Sequence, residues 1–274
     1  MSKTAKDAGD TARKAADSKP LELLARVGLV AYGLVHLLVG WLALQVAWGG
    51  SDEDADQSGA LKTLAEQPFG QALLWLIALG LVALAVWQAS EAIWGFQGGD
   101  TKKRLRRRGT AGAKAVVYLA LAISAARFAM GAGQSSSQGQ QSTTQGVLAL
   151  PFGQALVVIG ALVVIGVGVS HVRKAVTKKF LREIDTSPLS PAARKTITRL
   201  GQVGFAAKGV ALAVVGLLLG YAAITFDPEK ARGLDGALHT IAGQPFGQYL
   251  LTAVALGFVA FGLFAFAQSR YRPM

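Results

Sequence analysis

Long apolar stretches alternate with short polar ones along the whole chain. No Asp, Glu, Lys or Arg falls within 27–48, 67–90, 146–172, 209–226 or 240–269. A helix needs roughly 20 mostly apolar residues to cross the hydrocarbon core of a bilayer. Four of these stretches exceed that length, and 209–226 reaches it once 203–208 is added. A sixth run is shorter because Lys114 and Arg127 bound it. It becomes a span over 111–131 if both cations lie near its ends and reach outward to headgroups; otherwise it is a short core helix. The pattern therefore predicts spans at 24–48, 69–94, 111–131, 152–172, 203–224 and 246–268.

An internal repeat supports the sixth span. The tetrapeptide Pro-Phe-Gly-Gln occurs at Pro68-Phe69-Gly70-Gln71, Pro151-Phe152-Gly153-Gln154 and Pro245-Phe246-Gly247-Gln248. An apolar run precedes and follows each copy. Aligning the preceding runs matches Gly28 with Gly204, Gly33 with Ala115 and Gly209, and Gly40 with Ala122 and Gly216. Self-similarity of this kind marks repeated structural units. The predicted fold class is all-α: a polytopic membrane protein of six transmembrane helices, built as three tandem helical hairpins in a pseudo-threefold arrangement. Same-sense repeats are related by an axis along the membrane normal. The expected units are a disordered tail over 1–19 and hairpin repeats over 20–99, 100–186 and 187–274.

The tetrapeptide reads as a helix-entry device. Proline suits the first turn of a helix, Phe69, Phe152 and Phe246 fall at the interface that aromatic rings favour, and Gly70, Gly153 and Gly247 admit a close backbone. Before copies one and three, Leu61 and Leu64, and Leu238 and Ile241, recur at helical spacing. They predict short helices along the outer surface, capped by Ser58 and Asp235. The uncharged Ser, Gln, Gly and Thr of 134–145 predict a flexible outer loop. Val172, Val176 and Phe180 extend the fourth helix beyond its span, and Ser190-Pro191 is a helix start feeding the fifth.

Charge sets the orientation. Most of the 28 basic residues lie before the first span, in 95–110, in 173–202 and after the last span, giving a net charge of +12 and a pI near 10.1. The alternate loops carry Lys62, Lys230 and Arg232, and the first of them is acidic. Lys and Arg stay on the cytoplasmic side, so both termini are expected there, in a multi-pass protein of a bacterial plasma membrane. The expected partners are the lipid bilayer and anionic lipid headgroups at the cytoplasmic face, with a membrane protein partner or a second copy of the chain as further candidates. The basic run from Lys102 to Arg108 is not read as a nucleic-acid site, because no nucleic-acid fold accompanies it.

Candidate chemistry is sparse. His36 lies mid-membrane, where ionisable groups are functional candidates by default. Its alternative role is a neutral hydrogen bond between helices. Arg127 sits near the outer end of the third span, either reaching outward or closing an outer cavity. Glu91 lies near a cytoplasmic helix end with Lys114, His171 and Lys208, and pairing with one of the lysines is its structural reading. These three, His36, Arg127 and Glu91, are the candidate ligand or proton site. No metal site is expected, since His36, His171 and His239 fall at different depths and there is no Cys. No cofactor motif and no Ser–His–carboxylate set at one depth is present.

Ala25-Arg26-Val27-Gly28, Gly33 before an apolar run, Gly59-Ala60-Leu61 and the three Pro-Phe-Gly-Gln copies together resemble the domain of unknown function 1206 family, common in actinobacteria. The resemblance covers about 21–272. Copy two departs from it, with Leu150 where Gln67 and Gln244 stand. It implies a three-repeat, six-span inner-membrane protein and no particular activity. Two function classes follow: a non-enzymatic envelope scaffold, accessory or sensing protein, and a small transporter or channel with a site between the repeats. A membrane enzyme ranks third, for want of an acid–base pair.

Overall fold

The computed structural model describes residues 19–49, 54–94 and 101–272. The N-terminal tail expected over 1–19 therefore lies almost wholly outside the described residues. Six long helices form the body: α1 (Lys19–Ala47), α3 (Gly70–Ile93), α4 (Thr101–Ala129), α6 (Gly153–Thr177), α7 (Pro191–Thr225) and α9 (Gly247–Tyr271). All six are long and apolar enough to cross a membrane. Three short helices, α2 (Gln57–Ala65), α5 (Ser136–Leu148) and α8 (Gly233–Ala242), lie between the members of each hairpin. The chain is a polytopic membrane protein of three hairpin repeats, α1/α3, α4/α6 and α7/α9. The end at which Lys19 and Tyr271 lie is called the basic end here, and the other the distal end.

The helices that pack most extensively belong to different repeats: α9 with α1, α3 with α4, and α6 with α7. Hydrocarbon tails are as apolar as leucine, so burial from water cannot drive these seams; close van der Waals packing between small residues can. A Cβ on Gly33 would lie 2.8 Å from the Gly262 carbonyl oxygen, and one on Gly262 would lie 2.7 Å from that of Gly33. Gly168 and Gly209 reciprocate in the same way, each 2.7 Å from the other's oxygen. Backbones this close gain Cα–H···O contacts of about 0.5–1 kcal/mol each. Counting from the tetrapeptides, the third seam places Ala85 opposite Ala115. Two turns further on, Gly40 meets Ala255, Gly216 meets Ala161, and the register puts Ala122 at the same level. The glycine-for-alanine pattern of the odd helices is thus a seam repeated around the bundle.

Within the hairpins the symmetry breaks. In the first, a Cβ on Gly28 would lie 2.2 Å from the Gly80 oxygen. In the third, one on Gly204 would lie 2.6 Å from the Phe261 Cα, and one on Gly257 would lie 2.1 Å from the Ala207 Cβ. The second repeat has Thr110 where the others have Gly28 and Gly204, and Val163 where they have Gly80 and Gly257. Two glycines are replaced by two β-branched residues at the crossing. Among the described residues, α4 and α6 make no packing comparable to that of α1 with α3 or α7 with α9. The ring of helices therefore has one open joint.

The distal end is closed by the short helices. Leu61 and Leu64 of α2 and Leu238 and Ile241 of α8 are buried in one apolar cluster with Val35, Val39, Leu42, Leu74, Leu251 and Phe258 of the long helices. These helices insert into the bundle rather than lying along its surface as expected, because their apolar stripes complete its core. Asp56, not Ser58, caps α2: its carboxylate accepts from the Ser58 and Gly59 amides at 2.8 and 3.1 Å. Asp235 lies inside α8 and accepts from the Ala55 amide at 3.1 Å and from Arg232 at 3.0 Å.

The flexible loop expected over 134–145 is helix α5. Its residues carry no apolar period to betray it, and polar contacts hold it instead. The Ser135 hydroxyl donates to Asp54 at 2.5 Å, the Ser136 amide to the Ser58 hydroxyl at 2.9 Å, and the Ser137 hydroxyl to the Arg232 carbonyl at 2.8 Å.

The tetrapeptide also differs from expectation. Pro68, Pro151 and Pro245 sit in a turn ahead of the helix, not in its first turn. Phe69, Phe152 and Phe246 take left-handed backbone, with φ of 63, 62 and 61°, and are exposed. Gly70, Gly153 and Gly247 begin the helix, where a Cβ would lie 2.0, 1.9 and 2.0 Å from the carbonyl oxygens of Leu64, Val147 and Ala242. Glycine is obligatory at these three positions because the preceding short helix folds back onto them. Expected outcome: Gly28→Val, which drives a Cβ into backbone, lowers stability by about 1–3 kcal/mol or more. Gly166→Val, at a site with open space around it, stays within about 0.5 kcal/mol. Thermal unfolding of the detergent-solubilised protein checks both.

Candidate functional site

Between the spanning helices, polar side chains gather in the basic half, in two layers; the buried Asp56, Ser58 and Asp235 belong to the distal cap. The deeper layer centres on Lys208 of α7. Its ammonium donates to the Tyr32 hydroxyl and lies 3.1 Å from His36 Nε2. His36 Nδ1 is 2.8 Å from the Tyr32 carbonyl. A carbonyl only accepts, so these partners assign the proton to Nδ1 and leave the Nε2 lone pair facing Lys208. The ammonium also sits over the rings of Phe261, at 4.4 Å, and Tyr32, at 4.9 Å. Such contacts contribute about 2 kcal/mol when desolvated. Tyr118 of α4 packs edge-on against Tyr32 at 5.4 Å. Residues of the first and third repeats thus surround one cation, and Tyr118 of the second backs Tyr32.

The second layer closes the basic end. Glu183, in the 3-10 turn Lys179–Glu183 after α6, pairs with Lys174 at 3.2 Å and Lys114 at 3.6 Å, and accepts from Gln268 at 3.1 Å. Burial opposes ionisation of Glu183, but the charges of Lys114 and Lys174 outweigh it and hold its pKa down at about 2. Beside this layer, the Arg26 guanidinium donates to the Ser269 and Arg270 carbonyls at 2.7 and 2.9 Å. That contact satisfies the free carbonyls at the C-terminus of α9.

Repeat register accounts for both layers. Tyr32, Lys114 and Lys208 occupy one level of the odd helices, since each directly precedes the residue Gly33, Ala115 or Gly209. Glu91, Lys174 and Gln268 stand equally far beyond the three tetrapeptides. One carboxylate outside the repeat unit, Glu183, engages two members of the second set. The sequence offered Glu91 as the partner of Lys114 or Lys208; the carboxylate that pairs with Lys114, and with Lys174, is Glu183. Lys208 has a different status. Among the described residues, no carboxylate lies within ion-pair distance of it.

The three residues singled out from sequence are not brought together. His36 is buried beside Lys208, whereas Glu91 is half-exposed at the basic end of α3. Arg127 lines a recess of about 150 Å³ at the distal end with Ser124, Phe128, Gln134 and Ser135. Lys208 with Tyr32 and Glu183 with its lysines were missed as clusters. Aligning charged positions between the repeats, and not only glycines, would have found the levels they share. No group of three or more His, Cys, Asp and Glu able to hold a metal occurs among the described residues.

Expected outcome: Glu183→Gln strands two lysines without a counter-charge and lowers the melting temperature at pH 7. A depressed folded-state pKa stabilises the fold above the ordinary carboxylate value of about 4.5 and loses that contribution as pH falls towards 2. The gap between wild type and variant should be full above pH 5 and shrink below it, as read by thermal unfolding across pH.

Comparison with known proteins agrees with this architecture. The family model described as Domain of Unknown Function (DUF1206) matches three times, over residues 27–95, 110–178 and 203–272. Each match holds one hairpin. The chain is similar to the uncharacterized protein YxxB of Bacillus subtilis (strain 168), with 34% identity over 260 residues, 94% of each chain. No solved structure matches. With three successive matches covering its hairpins and a relative aligned along nearly its whole length, the chain belongs to the DUF1206 family.

Proposed function

We propose that this is a non-enzymatic accessory or sensing protein of a bacterial plasma membrane, whose basic end faces the cytoplasm and acts there. The reading rests on one observation above all. Between the spanning helices the buried polar groups stop at the level of His36, and they return only in the distal cap, where Asp56, Ser58 and Asp235 are engaged in hydrogen bonds. Beyond it the space towards the distal end is filled by aliphatic and aromatic side chains and roofed by α2 and α8. A conduit needs a polar path that opens to each side in turn, and the apolar layer between His36 and the distal cap offers none. The basic half does offer surface for contact. Lys178, Arg194, Lys195 and Arg199 line a shallow cleft of about 740 Å³ where the turn after α6 meets the start of α7. Clustered cations of this kind hold to an anionic leaflet by roughly 1 kcal/mol each.

A transporter remains the second reading, favoured by the Lys208–His36 contact. Two titratable groups that share a proton within a bundle are a common feature of proton-coupled carriers.

The chain has no cysteine, so single cysteines report depth cleanly. Expected outcome: in right-side-out and inverted vesicles, a charged thiol reagent modifies Lys114→Cys from the cytoplasmic side only, and leaves Val39→Cys and Ala125→Cys unmodified from both sides. Modification of Val39→Cys from the outer side would favour the transporter.

A further inference from the structure

We propose that the open joint between α4 and α6 is a lateral slot for one anionic membrane lipid, with an acyl chain between the helices and the phosphate against Lys208. The inference rests on the reading of the basic end as the working face, and names the ligand it would take.

The slot is visible as a difference between equivalent positions. Gly28 and Ala31 of α1, and Gly80 and Leu84 of α3, are buried at the first crossing; Gly204, Ala207, Gly257 and Phe261 are buried at the third. Their counterparts in the second repeat are Thr110 and Ala113 of α4 and Val163 and Val167 of α6, and all four are exposed. Val163 is 60% exposed, where Gly80 and Gly257 touch backbone or Cβ of the neighbouring helix. The residues that close two hairpins thus stand open in the other. Elsewhere α4 and α6 each bury one stripe. Tyr118, Ala122, Ala125 and Ala129 pack into the main core, and Val157, Ala161 and Gly168 lie buried along α6, with Ala161 and Gly168 against α7. The share of the span that is buried is 22% for α4 and 17% for α6, against 39–56% for the other four.

Charge selects the occupant. Lys208 and its repeat counterpart Lys114, with Lys174 and Arg272, face the basic half of the interior. Glu183 engages Lys114 and Lys174, and Arg272 lies within its electrostatic reach. His171 and Lys174 of α6 lie within electrostatic reach of Lys208. They bring no negative charge to it, and Tyr32, His36 and Phe261 offer only dipoles and ring faces. A cation in a low-dielectric setting calls for an anion.

Depth fits a phospholipid. At about 1.5 Å per residue, the Lys208 Cα lies roughly 26 Å along α7 from Thr225. That places it just inside the basic-side border of a hydrocarbon core about 30 Å thick, so a phosphate meeting it would be drawn inward from the headgroup layer that lies outside that border. A chain descending from that point would run beside Val163 and Val167. A zwitterionic lipid places a compensating cation at the same site and is disfavoured.

The test is native mass spectrometry of the delipidated full-length protein in mild detergent, titrated with phosphatidylglycerol or phosphatidylcholine. Wild type should retain one phosphatidylglycerol at least tenfold more tightly than phosphatidylcholine. Lys208→Gln should lose that preference and Lys208→Arg should keep it. Val163→Trp, which fills the slot, should weaken both lipids. Arg106→Gln, at an exposed position of the basic run, should leave the first bound lipid unchanged. Millimolar inorganic phosphate should not displace it. Equal retention of the two lipids, an undiminished preference in Lys208→Gln, or displacement by phosphate would each overturn the proposal, the last by identifying a soluble anion instead. Each variant is first required to elute as a single species with a melting temperature near wild type; if Lys208→Gln fails this, Val163→Trp against wild type decides. None of these outcomes depends on which side of the membrane the basic end faces, so failure here is separate from failure of the thiol-labelling test.

Discussion

Close approach of glycine and alanine between repeats is the constraint on which this protein depends. In lipid, apolar helices gain little by leaving their solvent, so they adhere only where their backbones can come near. Gly33 against Gly262, and Gly168 against Gly209, bring carbonyl oxygens to within what a single Cβ would forbid. The seams join the first helix of one hairpin to the second helix of another. Each hairpin is therefore held by its neighbours more than by its own partner, and the three cannot be separated without breaking the bundle. This explains how the middle hairpin is carried in the structure although its own two helices stand apart.

The departure from symmetry is where function has room to arise. Three identical closed hairpins would give a packed axis with nothing to offer. Replacing two crossing glycines by Thr110 and Val163 opens one joint. Replacing the tyrosine of the first repeat by lysine in the second and third puts two cations at the level of that opening. Glu183 neutralises part of that charge from outside the repeat unit and leaves Lys208 among rings and a neutral imidazole. Between His36 and the distal cap the interior stays apolar, so the polar opening towards the axis is confined to the basic half.

Much of this was legible in the sequence. Uninterrupted apolar stretches marked five of the six spans, and the repeated tetrapeptide supplied the sixth and their grouping. Small residues at Gly33, Ala115 and Gly209 marked the seams before any partner was known. What escaped the sequence has physical reasons. Helix α5 is held by serine hydroxyls and amides, and a Ser/Gln/Gly/Thr run carries no hydrophobic period. The tetrapeptide's proline precedes the helix because the turn needs left-handed backbone at the phenylalanine, which composition does not reveal. The Lys208 cluster joins residues 172–176 positions apart, and Glu183 lies outside the repeated unit, so neither follows from local spacing. His36 stood out for its depth; its partner did not, because a lysine near a helix end reads as solvated.

The most direct measurement is an experimental structure of the protein in lipid nanodiscs, resolved well enough to place side chains. The account predicts three inter-repeat seams with Gly33 on Gly262 and Gly168 on Gly209, two hairpins crossed at glycine, and α4 and α6 held apart with elongated density between them. Hairpins that each close within their own repeat, with α4 packed along α6 at Thr110 and Val163, would contradict it.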